Sequence, residues 1–282
     1  MQDLEKVTTS PEAIRELYRR KNVSLVVMGS PPINVNGYAL LNSQTLARKT
    51  ASDKFVLCDT KKPIHGITPK DPEQKAFVDA MLNKDILLNV ALGTAGTGKT
   101  TLALAYALTK LFDENKKIYL SKPTTVIGDR DAFGPVPGGI QDKYDPYLGS
   151  YYIILKKLLG GKDAPVKRLK DKGQLEFIPI ALARGCTFEA GTFILDEAQN
   201  LTWHELNSII SRMGDNTKMI ILGDLTQIDI DLKPEETGLY KMLQTATYKE
   251  SEITSGIELV TQYRSPITKL IADVNDEIRK QK

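Results

Sequence analysis

The chain has 282 residues, enough for one large domain or two modest domains with a sizeable core. Its 38 basic residues nearly balance 35 acidic ones, so net charge alone does not indicate a polyanionic partner. Cys58 and Cys186 have neither disulfide nor metal-site spacing, which fits a reducing, cytoplasmic compartment. No apolar run reaches the ~18 residues of a membrane-spanning helix, so we expect no membrane partner.

Residues 1–66 carry no recognisable chemistry. Ser10-Pro11 is typical of a helix N-terminus and predicts a short basic helix as far as about residue 21. Short strands are predicted at residues 24–28 and 55–58. We expect a small β-rich accessory segment that packs on the core or on a neighbouring subunit.

The most informative stretch joins an apolar strand, predicted at residues 87–92, to Gly-x-x-x-x-Gly-Lys-Thr and a helix predicted at residues 102–111. The glycines let backbone N–H groups turn towards an anion, and the helix adds its positive end. Lys99 is expected to reach the β- and γ-phosphates of ATP, and Thr100 to ligate Mg²⁺. The alternative is a glycine-rich turn with a surface lysine. Such a turn would not require the flanking strand and helix. The predicted nucleotide-binding residues of this loop are Gly93, Thr94, Ala95, Gly96, Thr97, Gly98, Lys99, Thr100 and Thr101.

A proline-rich segment at residues 67–74 precedes this strand and leads into a helix predicted at residues 75–82. Many helicase-like ATPases read adenine with a glutamine at such a place. Gln74 has both the donor and the acceptor that the N6/N7 edge of adenine requires. An ordinary helix-start glutamine is the alternative.

A second strand is predicted at residues 117–120, followed by Ser121-Lys122-Pro123. Loops at the carboxyl ends of parallel strands line the ligand side of an open α/β sheet. The hydroxyl and basic groups here suit a phosphate backbone, and an ordinary strand-to-loop transition is equally compatible.

An insertion at about residues 128–173 is rich in glycine, proline and tyrosine. Between Gln141 and Lys172, eight basic residues stand against four acidic ones, interleaved with tyrosines. This composition suits RNA or single-stranded DNA, because positive charge attracts the backbone and tyrosine rings stack on unpaired bases. The alternative is a buried helix face, since Tyr151 and Leu155 have helical spacing.

An apolar strand predicted from residue 192 ends in Asp196-Glu197, the acid pair of a nucleotide hydrolase. Asp196 is expected to hold Mg²⁺ through its water shell, and Glu197 to polarise the attacking water. A helix at 203–213 and a strand at 218–222 follow. The strand leads to Gln227, which can contact the γ-phosphate and the water. A last strand is predicted at 257–261, and a basic residue, Arg264, follows it.

Three blocks behind the loop resemble motifs II, III and IV of superfamily 1 helicases. They are Asp-Glu-Ala-Gln at 196–199, Gly-Asp-x-x-Gln at 223–227 and Gln-Tyr-Arg-Ser at 262–265. In that superfamily the motif IV tyrosine stacks on adenine and its arginine touches the γ-phosphate. The resemblance implies these roles for Tyr263 and Arg264.

Residues 67–282 resemble the PhoH family of phosphate-starvation-associated ATPases still more closely. The resemblance implies an α/β, RecA-like P-loop NTPase fold with a central, mostly parallel sheet flanked by helices. Cys186 and Ser265-Pro266 depart from the family pattern. Some relatives carry an RNA-cleaving PIN domain in front; residues 1–66 are too short for one and lack its acidic cluster, so we expect no nuclease activity. The characteristic runs are residues 133–138, Asp145-Pro146-Tyr147, 184–188, 196–200, and Arg212-x-Gly214 before 223–229.

Phosphoryl transfer is accelerated about 10³–10⁵-fold by an arginine finger. Arg264 can supply one cation within the chain. Arg212 stands where ring ATPases project a finger into the adjacent subunit, and PhoH relatives form hexameric rings, so a homo-oligomer, most simply a hexameric ring, is expected. A cation that stabilises a helix C-terminus is the alternative for Arg212, and Arg184 is a competing finger.

These features predict a Mg²⁺-dependent ATPase that works as an oligomer and remodels, or translocates on, RNA or single-stranded DNA. Because we expect one RecA-like lobe, closure of two lobes within one molecule is not the predicted mechanism. A nucleotide-switched regulatory protein is the alternative. A kinase is disfavoured because the acid pair and Gly-Asp-x-x-Gln position water rather than an acceptor hydroxyl.

Overall fold

Two β-sheets organise the protein. The computed structural model describes residues 4–25, 32–58, 63–123 and 148–263, together with the helical positions 267, 270 and 274. No helix in these parts of the chain is long and apolar enough to cross a bilayer.

The first sheet is mixed and has the strand order β1-β3-β4-β5-β2. One helix, α1 (Pro11–Arg20), accompanies it and is capped by the Ser10 side chain, as predicted. The strand predicted at residues 24–28 lies earlier in the chain, and residues 26–31 are outside the described ranges. The strands are β1 (Glu5–Val7), β2 (Asn22–Ser24), β3 (Tyr38–Leu41), β4 (Thr45–Lys49) and β5 (Lys54–Leu57).

The second sheet contains six strands, all parallel, in the order β11-β6-β10-β9-β7-β8. This confirms the predicted α/β class with its central parallel sheet. Parallel strands are joined by crossovers, so their carboxyl ends gather at one edge, where ligands bind. The strands are β6 (Leu88–Leu92), β7 (Lys117–Ser121), β8 (Leu175–Phe177), β9 (Gly191–Leu195), β10 (Lys218–Gly223) and β11 (Thr254–Glu258).

Helices cover both faces of the second sheet, because its strands are apolar on both sides. On β10, Ile220 and Leu222 join one core and Met219 and Ile221 the other. The first core packs against α2 to α5, and the second against α6 to α8. The helices are α2 (Pro72–Leu82), α3 (Lys99–Glu114), α4 (Gly149–Leu158), α5 (Asp163–Asp171), α6 (Ile180–Ala183), α7 (Trp203–Ile210), α8 (Gly238–Gln244) and α9 (Ala246–Lys249).

The first sheet packs on the back of α2 through both apolar and polar contacts. Tyr38 and Leu40 share one buried cluster with Phe77. The Tyr38 hydroxyl donates to Asp79 Oδ2 at 2.9 Å, and Arg48 Nε donates to the same oxygen at 3.3 Å. A partly buried carboxylate on α2 is therefore hydrogen-bonded by two residues of the first sheet.

Three elements end three residues before the predicted position. Strand β8 ends at Phe177 rather than residue 180, since Pro179 lacks the N–H that would extend the ladder and caps α6 instead. Helix α7 ends at Ile210, before the predicted residue 213. Strand β11 ends at Glu258, because residues 259–263 leave the sheet to run beside the Gly93 loop.

Candidate functional site

The loop between β6 and α3 wraps tightly, as its glycines predict. Gly93 has φ +140°, and a Cβ there would lie 2.2 Å from the carbonyl oxygen of Leu259. Gly98, with φ +92°, immediately precedes the helix. A side chain is therefore excluded at Gly93 by the neighbouring backbone and strained at Gly98 by its conformation.

Lys99 is the first residue of α3 and is 9% exposed. Its ammonium donates to the Gly93 carbonyl and, at 3.0 Å, to the Thr94 carbonyl. The charge is thus held inside the loop, in reach of phosphates that the loop's N–H groups would bind. Its predicted contact with the β- and γ-phosphates stays a prediction.

The hydroxyl of Thr100 and the carboxylate of Asp196 meet at the ends of α3 and β9. Thr100 Oγ1 donates to Asp196 Oδ2 at 2.9 Å. Both groups are hard oxygen donors of the kind that Mg²⁺ takes, and one carboxylate with phosphates and water completes such a site. The described residues contain no cluster of three or more His, Cys, Asp or Glu suited to hold a metal on its own. The pair therefore fits Mg²⁺ bound together with a nucleotide.

Glu197 adopts a left-handed backbone conformation, with φ 54° and ψ 37°. Its N–H donates to Asp196 Oδ1 at 2.9 Å, which fixes the backbone. Its side chain pairs with Lys122, whose Nζ lies 2.5 Å from Oε1. Left-handed geometry in a residue with a long side chain is uncommon and costs of order 1 kcal/mol or more, and it concentrates at functional sites.

Two amides that follow Glu197 tie its turn to the loop after β10. The buried Gln199 accepts from Asp224 N at 3.0 Å and donates to the Gln227 carbonyl at 2.9 Å. Asn200 exchanges a reciprocal pair of hydrogen bonds with Asp229, at 3.1 and 2.8 Å. Gln227 itself is exposed and lines the cavity, so its side chain is available there.

Gln74 and Tyr263 stand on the other side of the loop. Gln74 Nε2 donates to the Thr97 carbonyl at 2.9 Å, and its Oε1 accepts from Lys70 N at 2.9 Å. An amide keeps a second N–H and further lone pairs, so these contacts leave a donor and an acceptor for adenine. Tyr263 N donates to the Gly96 carbonyl at 2.9 Å, which places the ring beside the loop.

The Tyr263 side chain has one contact at its hydroxyl and one at a face of its ring. Its hydroxyl donates to Asp71 Oδ2 at 2.6 Å, while Asp71 Oδ1 accepts from Gln74 N. Lys70 Nζ lies 4.5 Å from the ring centroid. Burial, then the Asp71 carboxylate, raises the pKa of Tyr263 to about 12, so the phenol stays protonated at neutral pH.

These residues surround one cavity of about 620 Å³. A volume of this size accommodates a nucleotide. Three residues of α4 also line it, Ser150, Ile154 and Lys157, which the sequence did not predict. The predicted site residues that line it are Gln74, Ala95, Gly96, Gly98, Lys99, Thr100, Thr101, Asp196, Glu197, Gln227 and Tyr263.

The candidate arginines do not line this cavity within the described part of the chain. Arg212 follows α7, and its buried Nε has no hydrogen-bond partner among the described residues. Arg184 is exposed after α6. Arg264, residues 133–138 and Asp145-Pro146-Tyr147 lie outside the described ranges, so their predicted roles stay predictions.

The parallel sheet, the glycine loop and the Thr100–Asp196 pair together define a P-loop nucleotide-binding protein. Residues 66–276 match the model of a known family, described as PhoH-like protein, and the chain belongs to the PhoH family.

Curated relatives from bacteria match different shares of the chain. A PhoH-like protein of Bacillus subtilis is 39% identical over 165 residues, which are 58% of this chain and 50% of that protein. Protein PhoH2 of the same organism is 28% identical over 281 residues, covering 94% of this chain and 62% of that protein. The crystal structure of Pif1 helicase from Candida albicans aligns over 74% of this chain and 44% of that chain, with 17% identity and a TM-score of 0.38, which is too low to carry an inference. The chain thus spans about half to three fifths of the length of these two curated relatives.

Proposed function

We propose that this protein is a Mg²⁺-dependent ATPase whose turnover is coupled to single-stranded nucleic acid, RNA or DNA. The observation that carries the ATPase part is the meeting of Lys99, the Thr100–Asp196 pair and Glu197 around one cavity. These are the groups that phosphoryl transfer to water requires. Bound Mg²⁺ would neutralise charge that develops on the phosphates.

Each group has a distinct task in the proposed reaction. Lys99 and the loop N–H groups orient the β- and γ-phosphates, and Thr100 with Asp196 orients the metal. Glu197 accepts a hydrogen bond, and then the proton, from the attacking water. Gln227 helps to place that water. Gln74 and Tyr263 hold adenine by hydrogen bonding and by stacking.

The nucleic-acid part is supported by the surface formed by α4 and α5. Between residues 148 and 173 seven basic residues stand against two acidic ones. Lys157, Lys167 and Arg168 are exposed there, whereas Tyr151 is buried. Charge rather than tyrosine stacking therefore supports binding here, which makes backbone phosphates the proposed ligand.

A head-to-tail oligomer, most simply a hexameric ring, belongs to the same proposal. Arg212 is not among the described residues that line the cavity of its own subunit, which leaves a role towards a neighbouring subunit as the proposed one. The two free cysteines, Cys58 and Cys186, support a cytoplasmic location.

ATP hydrolysis by the wild type and by Glu197→Gln, each with and without poly(U) or poly(dT), tests the proposal. We expect Mg²⁺-dependent turnover that nucleic acid stimulates, and a loss of at least about 10²-fold in the variant with ATP binding retained. Absence of hydrolysis would overturn the enzyme. Hydrolysis without stimulation or low-salt binding would favour the nucleotide-switched regulatory protein.

A further inference from the structure

We propose that Lys122 is a positioning residue that restrains Glu197 until phosphates of a single-stranded nucleic acid draw it away. This inference rests on the proposed function and adds the regulation of the same site. It starts from the ion pair that Lys122 forms with the residue expected to activate water.

Strand order brings the two residues together. Strand β7 lies beside β9, with Ser121 paired to Leu195, and Asp196 N extends the ladder by donating to the Ser121 carbonyl at 3.0 Å. Lys122 and Glu197 therefore leave the carboxyl ends of adjacent strands, and both line the cavity.

The pair is partly shielded from water, which strengthens it. The side chains of Lys122 and Glu197 are 22% and 36% exposed, and the N–O distance is 2.5 Å. A carboxylate oxygen that accepts from an ammonium is occupied and is held on the β7 side. It is then a weaker acceptor for the attacking water than a free carboxylate.

The backbone of Glu197 cannot relieve this restraint. Its N–H is bound to Asp196, and the turn after it is tied to the β10 loop through Gln199 and Asn200. The side chain is the part of Glu197 left to change position. Whether Lys122 pairs with Glu197 or with a nucleic-acid phosphate thus determines whether the Glu197 carboxylate is available to the attacking water.

A phosphate backbone is a suitable competitor for Lys122. Helix α4 contributes to the cavity wall, where Ser150 and Lys157 line the same cavity as Lys122. Helix α5 packs against α4 and carries the exposed basic side chains of Lys167 and Arg168. A strand attracted to that surface brings phosphates, which bind lysine as a point charge, to the mouth of the cavity.

The test compares ATP turnover of the wild type and three full-length variants with and without poly(U) or poly(dT). Lys122→Met removes the charge and nearly keeps the side-chain length, and Lys122→Arg keeps the charge. Lys84→Gln is a control in the exposed turn after α2. Thermal melting confirms that each is folded.

We expect Lys122→Met to raise kcat without nucleic acid close to the stimulated wild-type rate, with KM for ATP unchanged and no further stimulation. Lys122→Arg should retain restraint and stimulation, and Lys84→Gln should match the wild type. Adding Glu197→Gln to Lys122→Met should abolish the gain, since Lys122 acts through Glu197. For Lys122→Met, the slope of log binding constant against log salt concentration should become shallower by about one unit, because one phosphate contact is lost.

Two outcomes overturn the inference while leaving the proposed function standing. In the first, Lys122→Met keeps the wild-type basal rate and stimulation. In the second, its basal rate falls, which would make Lys122 a direct aid to catalysis. A wild type that hydrolyses ATP but neither binds nor responds to poly(U) or poly(dT) overturns both the nucleic-acid part of the function and the inference.

Discussion

Thr100 and Asp196 are 96 positions apart in the chain and are joined by a 2.9 Å hydrogen bond between hydroxyl and carboxylate. The bond exists because β6 and β9 both pair with β10 in parallel, so that the start of α3, which follows β6, and the end of β9 lie at one edge of the sheet. Thr100 and Asp196 are the residues that would hold Mg²⁺ here, the hydroxyl as a ligand and the carboxylate through the water shell of the ion.

Asp196→Asn should therefore weaken Mg²⁺ rather than the nucleotide alone. The neutral amide is a poorer ligand, and we expect about 10–100-fold lower metal affinity. Titration of Mg²⁺ against a fluorescent ATP analogue, compared with binding in EDTA, measures this effect. Equal Mg²⁺ affinities of variant and wild type would contradict the assignment of Asp196.

Gln199→Ala should destabilise the protein by about 1–3 kcal/mol, because Asp224 N and the Gln227 carbonyl lose a buried partner. Urea denaturation measures the change in the free energy of unfolding. Gln227→Ala is the matched control: its side chain is exposed at the cavity, so stability should hold while kcat falls. Equal free energies of unfolding for the two variants would show that the two hydrogen bonds of Gln199 do not stabilise the protein.

Arg212→Ala should lower turnover about 10³-fold or more and spare ATP binding, if its guanidinium reaches a neighbouring subunit's phosphates. Mixing this variant with Glu197→Gln should restore part of the activity, since mixed oligomers pair an intact Glu197 with an intact Arg212. Full turnover by Arg212→Ala alone would move the role to Arg184 or Arg264.

Lys218 predicts a pH dependence of stability. Burial, and next the charge of Lys110, lowers its pKa from 10.5 to about 7, although its ammonium donates to the carbonyls of Met81 and Asn83. Between these two pKa values the unfolded chain binds a proton that the folded protein lacks, so the free energy of unfolding rises with pH. Below pH 7 both states are protonated and the slope disappears.

Lys218→Met lacks this titration. Urea denaturation of wild type and variant from pH 6 to pH 10 should give a stability difference that shifts in favour of the wild type as pH rises through 7. A difference that stays constant over this range would mean that the two carbonyls keep the ammonium charged.

Local patterns were sufficient to predict the glycine loop, the Asp196-Glu197 pair and the strands leading to them. Each is a strand end with a distinctive neighbour sequence, and the chain continuity of strand, loop and helix fixes its geometry. The strands β1, β3 and β4 were missed: β1 has only three residues, and β3 and the first half of β4 are buried at successive positions and so show no alternation of apolar and polar residues.

Pairings that depend on strand order were beyond the sequence. Ser121-Lys122 was recognised only as a loop suited to phosphate, since nothing local says that β7 lies next to β9 and that Lys122 meets Glu197. Similarly, Gln199 belonged to a recognised block, yet its contacts with Asp224 and Gln227 appear only once β9 and β10 are adjacent.

The accessory sheet has no independent core on the side that faces α2. Leu40 and Leu46 contribute to the same buried cluster as Phe77 and Met81, and Asp79 depends on Tyr38 and Arg48 for its hydrogen bonds. Removing residues 1–65, which precede the family match, would expose to solvent the apolar face of α2, the helix that carries Gln74. The first sheet therefore stabilises the position of α2, and with it the position of Gln74 at the cavity.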